Sequence, residues 1–171
     1  MTLIATPGAE DANSFVTRAE FVEWLTTRLR KPTSVTGAGD STKDAALIWA
    51  TRLVNALCWT GSGVTATQRL NWPRTGMLYQ TLFAVPIDAI PQDLKNAVME
   101  MAYILLVGDP VSPASAIFKG LNKIKAGSVE LGFNKLADLP LNSLVPPSVI
   151  SLLPHDWLCE TDDDLFLFDA L

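Results

Sequence analysis

Pro91-Gln92-Asp93-Leu94-Lys95-Asn96-Ala97-Val98-Met99-Glu100-Met101-Ala102-Tyr103-Ile104-Leu105-Leu106-Val107 is the stretch on which the fold turns. Proline suits the first position of a helix, where its missing N–H would have no partner anyway, and Gly108-Asp109-Pro110 ends the run. Leu94, Val98, Met101, Ala102 and Leu105 recur at helical spacing and form one face. Over the last two turns Met99, Tyr103, Leu106 and Val107 make the opposite side apolar as well. Such a helix is covered on both sides and is expected at the centre of the fold. Tyr103, on its second face, is a candidate for contact with a partner.

Upstream, the spacing of Ala46, Trp49, Ala50, Leu53 and Leu57 predicts a helix from about Thr42 to Cys58. Ile48 falls on its other face among Asp44, Thr51, Arg52 and Asn55, an apolar residue in a polar setting and a second contact candidate. Earlier still, Thr17-Arg18-Ala19-Glu20 has the form of a capping box, in which each end side chain satisfies the other's backbone N–H. Phe21, Trp24, Leu25 and Leu29 then share one side, predicting an amphipathic helix that runs to Lys31-Pro32. Pro32 to Ser41, rich in Pro, Thr, Ser and Gly, reads as a loop.

Gly61-Ser62-Gly63 stops the second helix, and Thr65 to Asn71 has room for one short turn before Trp72-Pro73. The segment to Pro86 reads as mostly loop. Further on the period changes: Ile124, Ala126, Val129, Leu131 and Phe133 alternate with Lys123, Lys125, Ser128 and Glu130 around Gly127, predicting a β-hairpin over about 121–133. The fold expected is mainly α: a three-to-four-helix bundle with a late β-hairpin and an extended C-terminal arm. The boundaries are 1–145 for the helical domain and 146–171 for the arm. Pro146, Pro147 and Pro154 separate that arm from the body. Trp157, Phe166 and Phe168 are its contact candidates, and it is expected to be loosely packed until a partner orders it. On that view a chain ending at Val145 melts at nearly the same temperature as the full one.

The chain has 171 residues, enough for one domain, with 49% hydrophobic and 18% charged residues. This balance leaves apolar surface for a partner. No apolar run reaches the length of a membrane span, and the start lacks the basic and apolar regions of a signal peptide, so a cytoplasm is the expected place of synthesis. Cys58 and Cys159 stand alone in sequence and are expected as separate thiols, with no metal site. The net charge of −5 and pI near 4.7 argue against gripping nucleic acid by its phosphates.

Candidates for catalysis are few. His155 is the only histidine, and although Asp156 and Cys159 lie close to it, nothing rigid surrounds them to hold a nucleophile, base and oxyanion donors together. No glycine-rich phosphate loop occurs, and no cofactor is implied. The expectation is a binding or structural role without catalysis.

Thr65-Ala66-Thr67-Gln68-Arg69-Leu70-Asn71-Trp72-Pro73-Arg74-Thr75-Gly76 is more specific than any of this. Placed between two amphipathic helices, it resembles the head-to-tail adaptor (neck connector) proteins of tailed bacteriophages. Asp11-Ala12-Asn13-Ser14-Phe15, the helix with Ala45, Leu47, Ala50 and Thr51, Ile90-Pro91 with Leu94, Lys95 and Ala97, and the late hairpin follow in matching order, so the resemblance covers about 1–135. It implies a connector-ring subunit of the virion neck, self-associated as a dodecamer. Its partners would be the portal protein, the next neck or tail protein, and double-stranded DNA passing without sequence specificity. Trp72 and Arg74 join the contact candidates, since an indole offers buriable area and a guanidinium a planar donor fork. Some relatives carry the label of a DnaT-like single-stranded-DNA-binding domain, which supplies the alternative of a replication accessory protein. Binders of that kind need aromatic platforms in a basic groove. An acidic chain with its tryptophans at core spacing therefore predicts at most weak binding to free DNA.

Overall fold

In the computed structural model, residues 2–80, 82–108 and 144–159 are described, together with the backbone of 123–126 and 129–132. The described chain is mostly helical with three short antiparallel strand pairs. Helix α1 (Arg18–Thr26) begins at the expected capping box: Thr17 Oγ1 accepts the Glu20 N–H at 3.3 Å and Glu20 Oε2 accepts the Thr17 N–H at 2.8 Å. It stops well before the expected Lys31-Pro32. The Thr26 hydroxyl donates to Glu23 O at 2.6 Å and the Thr27 hydroxyl to Trp24 O at 2.8 Å, so side chains occupy the last carbonyls. Leu29, expected in the apolar stripe, is fully exposed at 103%.

The expected loop that follows contains a single helical turn, α2 (Thr33–Thr36), whose Val35 is buried. Helices α3 (Asp40–Asn55) and α4 (Gln92–Val107) lie close to the expected bounds and pack on each other. Leu47, Ala50, Leu53 and Val54 of α3 share one core with Leu94, Ala97, Val98, Met101 and Ala102 of α4. The polar back assigned to α3 is only partly so. Ile48 is 6% exposed, and Thr51 is buried with its hydroxyl accepting the N–H of Phe15 from the N-terminal segment at 3.2 Å.

Between the long helices, β1 (Ser62–Gly63) pairs with β2 (Arg74–Thr75), and β3 (Leu78–Tyr79) pairs with β4 (Phe83–Ala84). Gly61 has φ +67°, and a Cβ there would overlap the Thr75 carbonyl oxygen, so the turn into β1 needs glycine. The late hairpin forms as β5 (Lys123–Ala126) against β6 (Val129–Gly132), with Ala126 opposite Val129. The Trp72–Pro73 peptide bond is cis.

The C-terminal segment differs most from expectation. Helix α5 (Pro147–Ile150) and the 3₁₀ turn His155–Trp157 bring Val149, Leu153 and Trp157 into the core. Trp157 lies 4.9 Å from Trp72, which meets Trp59 edge-on at 5.5 Å. Prolines here direct the chain across the body instead of away from it. Residues 146–159 are thus part of the packed unit, and the rest of the proposed arm lies outside the described residues.

Cys58 and Cys159, expected as separate thiols, form a disulfide. An isolated antiparallel bridge between Trp59 and Leu158, with the Cys159 N–H donating to Cys58 O at 3.1 Å, sets the two Cα atoms 5.3 Å apart. A sequence separation of 101 residues hid that proximity.

Candidate nucleic-acid interface

Two ion pairs lay α1 alongside α4 in the same direction. Glu20 at the start of α1 meets Lys95 early in α4, and Arg28 just past the end of α1 meets Glu100 further along. Glu20 is pulled two ways: burial raises its pKa, while the Lys95 ammonium and the Thr17 N–H and hydroxyl lower it and prevail. The early end of α1 then releases Arg28-Leu29-Arg30-Lys31, the densest run of cations in the chain, beside the second face of α4.

Arg28 is held in this corner by three groups. Its guanidinium sits 4.8 Å from the Trp24 ring centroid and 4.6 Å from that of Tyr103, with two nitrogens at 2.8 and 2.9 Å from the Glu100 carboxylate. Cation–π attraction and a paired carboxylate fix a side chain that would otherwise be mobile. The Tyr103 hydroxyl donates to Arg30 O at 3.1 Å and so pins the run itself. A hollow of about 430 Å³ is lined by Thr27, Arg28, Leu29, Arg30 and Tyr103. A second, of about 210 Å³, is bounded by Lys31 and Lys43 along with Leu25 and Thr36. No carboxylate among the described residues lines either hollow. Among the described residues, Arg30, Lys31 and Lys43 have no acidic partner; the two lysine ammonium groups rest on the carbonyls of Thr26 and Ala38.

The other contact candidates among the described residues lie elsewhere. Trp72, Trp157 and Arg74 are turned inward and hold the chain to itself. Arg74, 9% exposed, donates to the carbonyls of Thr60 at 2.7 Å, Gly61 at 2.8 Å, Asn71 at 3.0 Å and Trp59 at 3.4 Å, and burial lowers its pKa. Gln68 closes the same segment, its side-chain amide donating to the carbonyls of Leu70 and Pro73. The motif Thr65 to Gly76 is thus an internal clamp. Ile48 is buried, and Phe166 and Phe168 lie outside the described residues. Of the five candidates among the described residues, only Tyr103 stands in the basic corner; Trp24, Arg28, Arg30, Lys31 and Lys43 went unmarked. The run at 28–31 was the available signal, absorbed into the expected end of α1.

Charge is also unevenly placed. All 13 Lys and Arg lie within 1–154 along with 12 of the 18 acids, while Asp156 and five acids in 160–171 account for the remainder. The formal excess of −5 therefore belongs to the end of the chain, and the preceding body is close to neutral.

That body, residues 1–154, matches the family model described as "Putative DnaT-like ssDNA binding protein". The chain belongs to this family. No curated protein and no solved structure matches it. Membership of the DnaT-like family overturns the expected head-to-tail adaptor and favours the alternative of single-stranded-DNA binding. The portal protein, the next neck or tail protein, the dodecameric ring and the virion neck lose their support with it, since they rested on that resemblance alone. Net charge misled because it averaged a neutral body with an acidic end.

Proposed function

We propose that this chain binds single-stranded DNA, without catalysis, in the corner between the end of α1 and the second face of α4. Arg30, Lys31 and Lys43 take backbone phosphates, and Tyr103, which lines the larger hollow and is backed by Trp24, provides aromatic surface for a base, a stacked base contributing about 1–3 kcal/mol. Arg28 stacks between these rings and shares its charge between Glu100 and an incoming phosphate. The observation that carries this reading is Arg28 held between Trp24 and Tyr103 beside three cations that have no acidic partner. Aromatic platforms in a basic setting are what single-strand recognition requires, and family membership supports the single-stranded-DNA-binding role.

The test is fluorescence anisotropy with a labelled oligothymidine at several salt concentrations. Affinity should fall as salt rises, with a slope near 0.7 per phosphate contact on logarithmic axes. Arg30→Ala combined with Lys31→Ala should weaken binding at least tenfold and flatten that slope. Absence of binding by the unaltered protein at low salt, or an unchanged affinity in the double variant, overturns the proposal.

A further inference from the structure

Helix α3 carries a second pairing of indole and guanidinium. Arg52 is exposed on the helix surface with its guanidinium carbon 5.8 Å from the Trp49 ring centroid. Trp49 is half-buried although its spacing predicts a core position. Beside the pair is a groove of about 360 Å³, lined by Ser41, Ala45, Ile48, Trp49 and Arg52. These residues form a stripe along one side of the helix, since steps of three, four and seven return to the same face. Ile48 provides an apolar floor, Trp49 an aromatic wall, Ser41 a hydroxyl and Arg52 a cation. Among the described residues, Arg52 is the only charged one lining the groove.

From this we infer that the α3 groove is a second subsite for single-stranded DNA, holding one nucleobase against Trp49 and its phosphate on Arg52. This rests on the binding role proposed above. The occupant follows from the lining. A base is flat and apolar on its faces, with polar edges, matching Ile48, Trp49 and Ser41, and the attached phosphate matches a cation that has no acid beside it among the described residues. An apolar peptide helix would leave Arg52 without a partner, and an acidic peptide would leave the indole without one. Neutral charge across the body sets no barrier to a strand reaching from the corner at Arg28 to α3.

Three variants test the assignment with oligothymidines of increasing length. Ala45→Glu places a carboxylate in the groove at an exposed helical position, so it should not disturb folding, and Arg52→Ala removes the cation alone. Each should lower affinity for long oligomers about five-fold or more and leave the melting temperature unchanged. Arg52→Ala should also reduce the salt slope by about 0.7. Trp49→Phe keeps an aromatic face and should lose less than Arg52→Ala. If the unaltered protein binds, and Ala45→Glu and Arg52→Ala match it in affinity and salt slope at every length, the α3 subsite is overturned while the corner at Arg28 stands. If the unaltered protein does not bind, both fail.

Discussion

The rings of Trp72 and Trp157 lie 4.9 Å apart with an interplanar angle of 48°, and the Trp157 Nε1–H donates to Leu78 O at 2.8 Å. A side chain from the C-terminal segment therefore completes the aromatic core begun by Trp59 and Trp72. Trp157→Ala should cost about 3–5 kcal/mol, as large aromatic truncations in cores do. A chain ending at Val145 loses Val149 and Leu153 as well and should fail to give a cooperative melt. An unchanged melting temperature for that shortened chain would remove Trp157 from the core.

The link between Cys58 and Cys159 closes a loop with a sequence separation of 101 residues. Chain-entropy reasoning puts the upper limit for a loop of that size at about 4.7 kcal/mol. Cys58→Ser with Cys159→Ser should lower the urea midpoint, and a reducing agent should shift the unaltered protein alike while leaving the double variant unmoved. Peptide mapping without reduction should recover the two cysteines on one cross-linked fragment. Two free thiols in the oxidised protein would contradict the pairing.

Arg74 serves four backbone carbonyls from a buried position. Lysine keeps the charge but has no planar fork, so Arg74→Lys strands at least one carbonyl at a cost of about 1–3 kcal/mol. Thermal melting should show this loss while oligothymidine binding at low temperature persists. Lost binding with full stability would instead place Arg74 at the DNA.

Glu20 has a folded pKa below its ordinary value of 4.5, because Lys95 and the Thr17 cap outweigh the effect of burial. A lowered carboxylate pKa gives stability that is present above the unfolded value and lost as pH falls through the folded one. Stability should thus decline below about pH 4.5, and Glu20→Gln should be less stable at neutral pH with a shallower decline. Parallel acid titrations of the two proteins would show that Glu20 has no such role.

What was legible in the sequence was local. The capping box at Thr17, the span of α4 and the alternation at 123–132 each depend on neighbours a few residues apart, and each formed. What was not legible depended on distant partners. Nothing near Trp157 announces Trp72, nothing near Cys58 announces Cys159, and the end of α1 was settled by threonine hydroxyls that a hydrophobic pattern does not weigh. For the candidate site, Tyr103 was visible as an apolar surplus on α4. The cations of 28–31 were not, since their meaning comes from Trp24 and Tyr103 meeting across two helices, and since total charge concealed where the acids lie.

The cross-link also changes how the protein would bear tension. Pulled from its two ends, the chain would pass force from Cys58 straight to Cys159, and the enclosed stretch, α4 included, would be spared. At about 3.3–3.6 Å per extended residue, the roughly 100 enclosed residues withhold some 340 Å of slack. A single protease nick between the two cysteines would likewise leave the pieces tied together, a covalent ring opened but not parted.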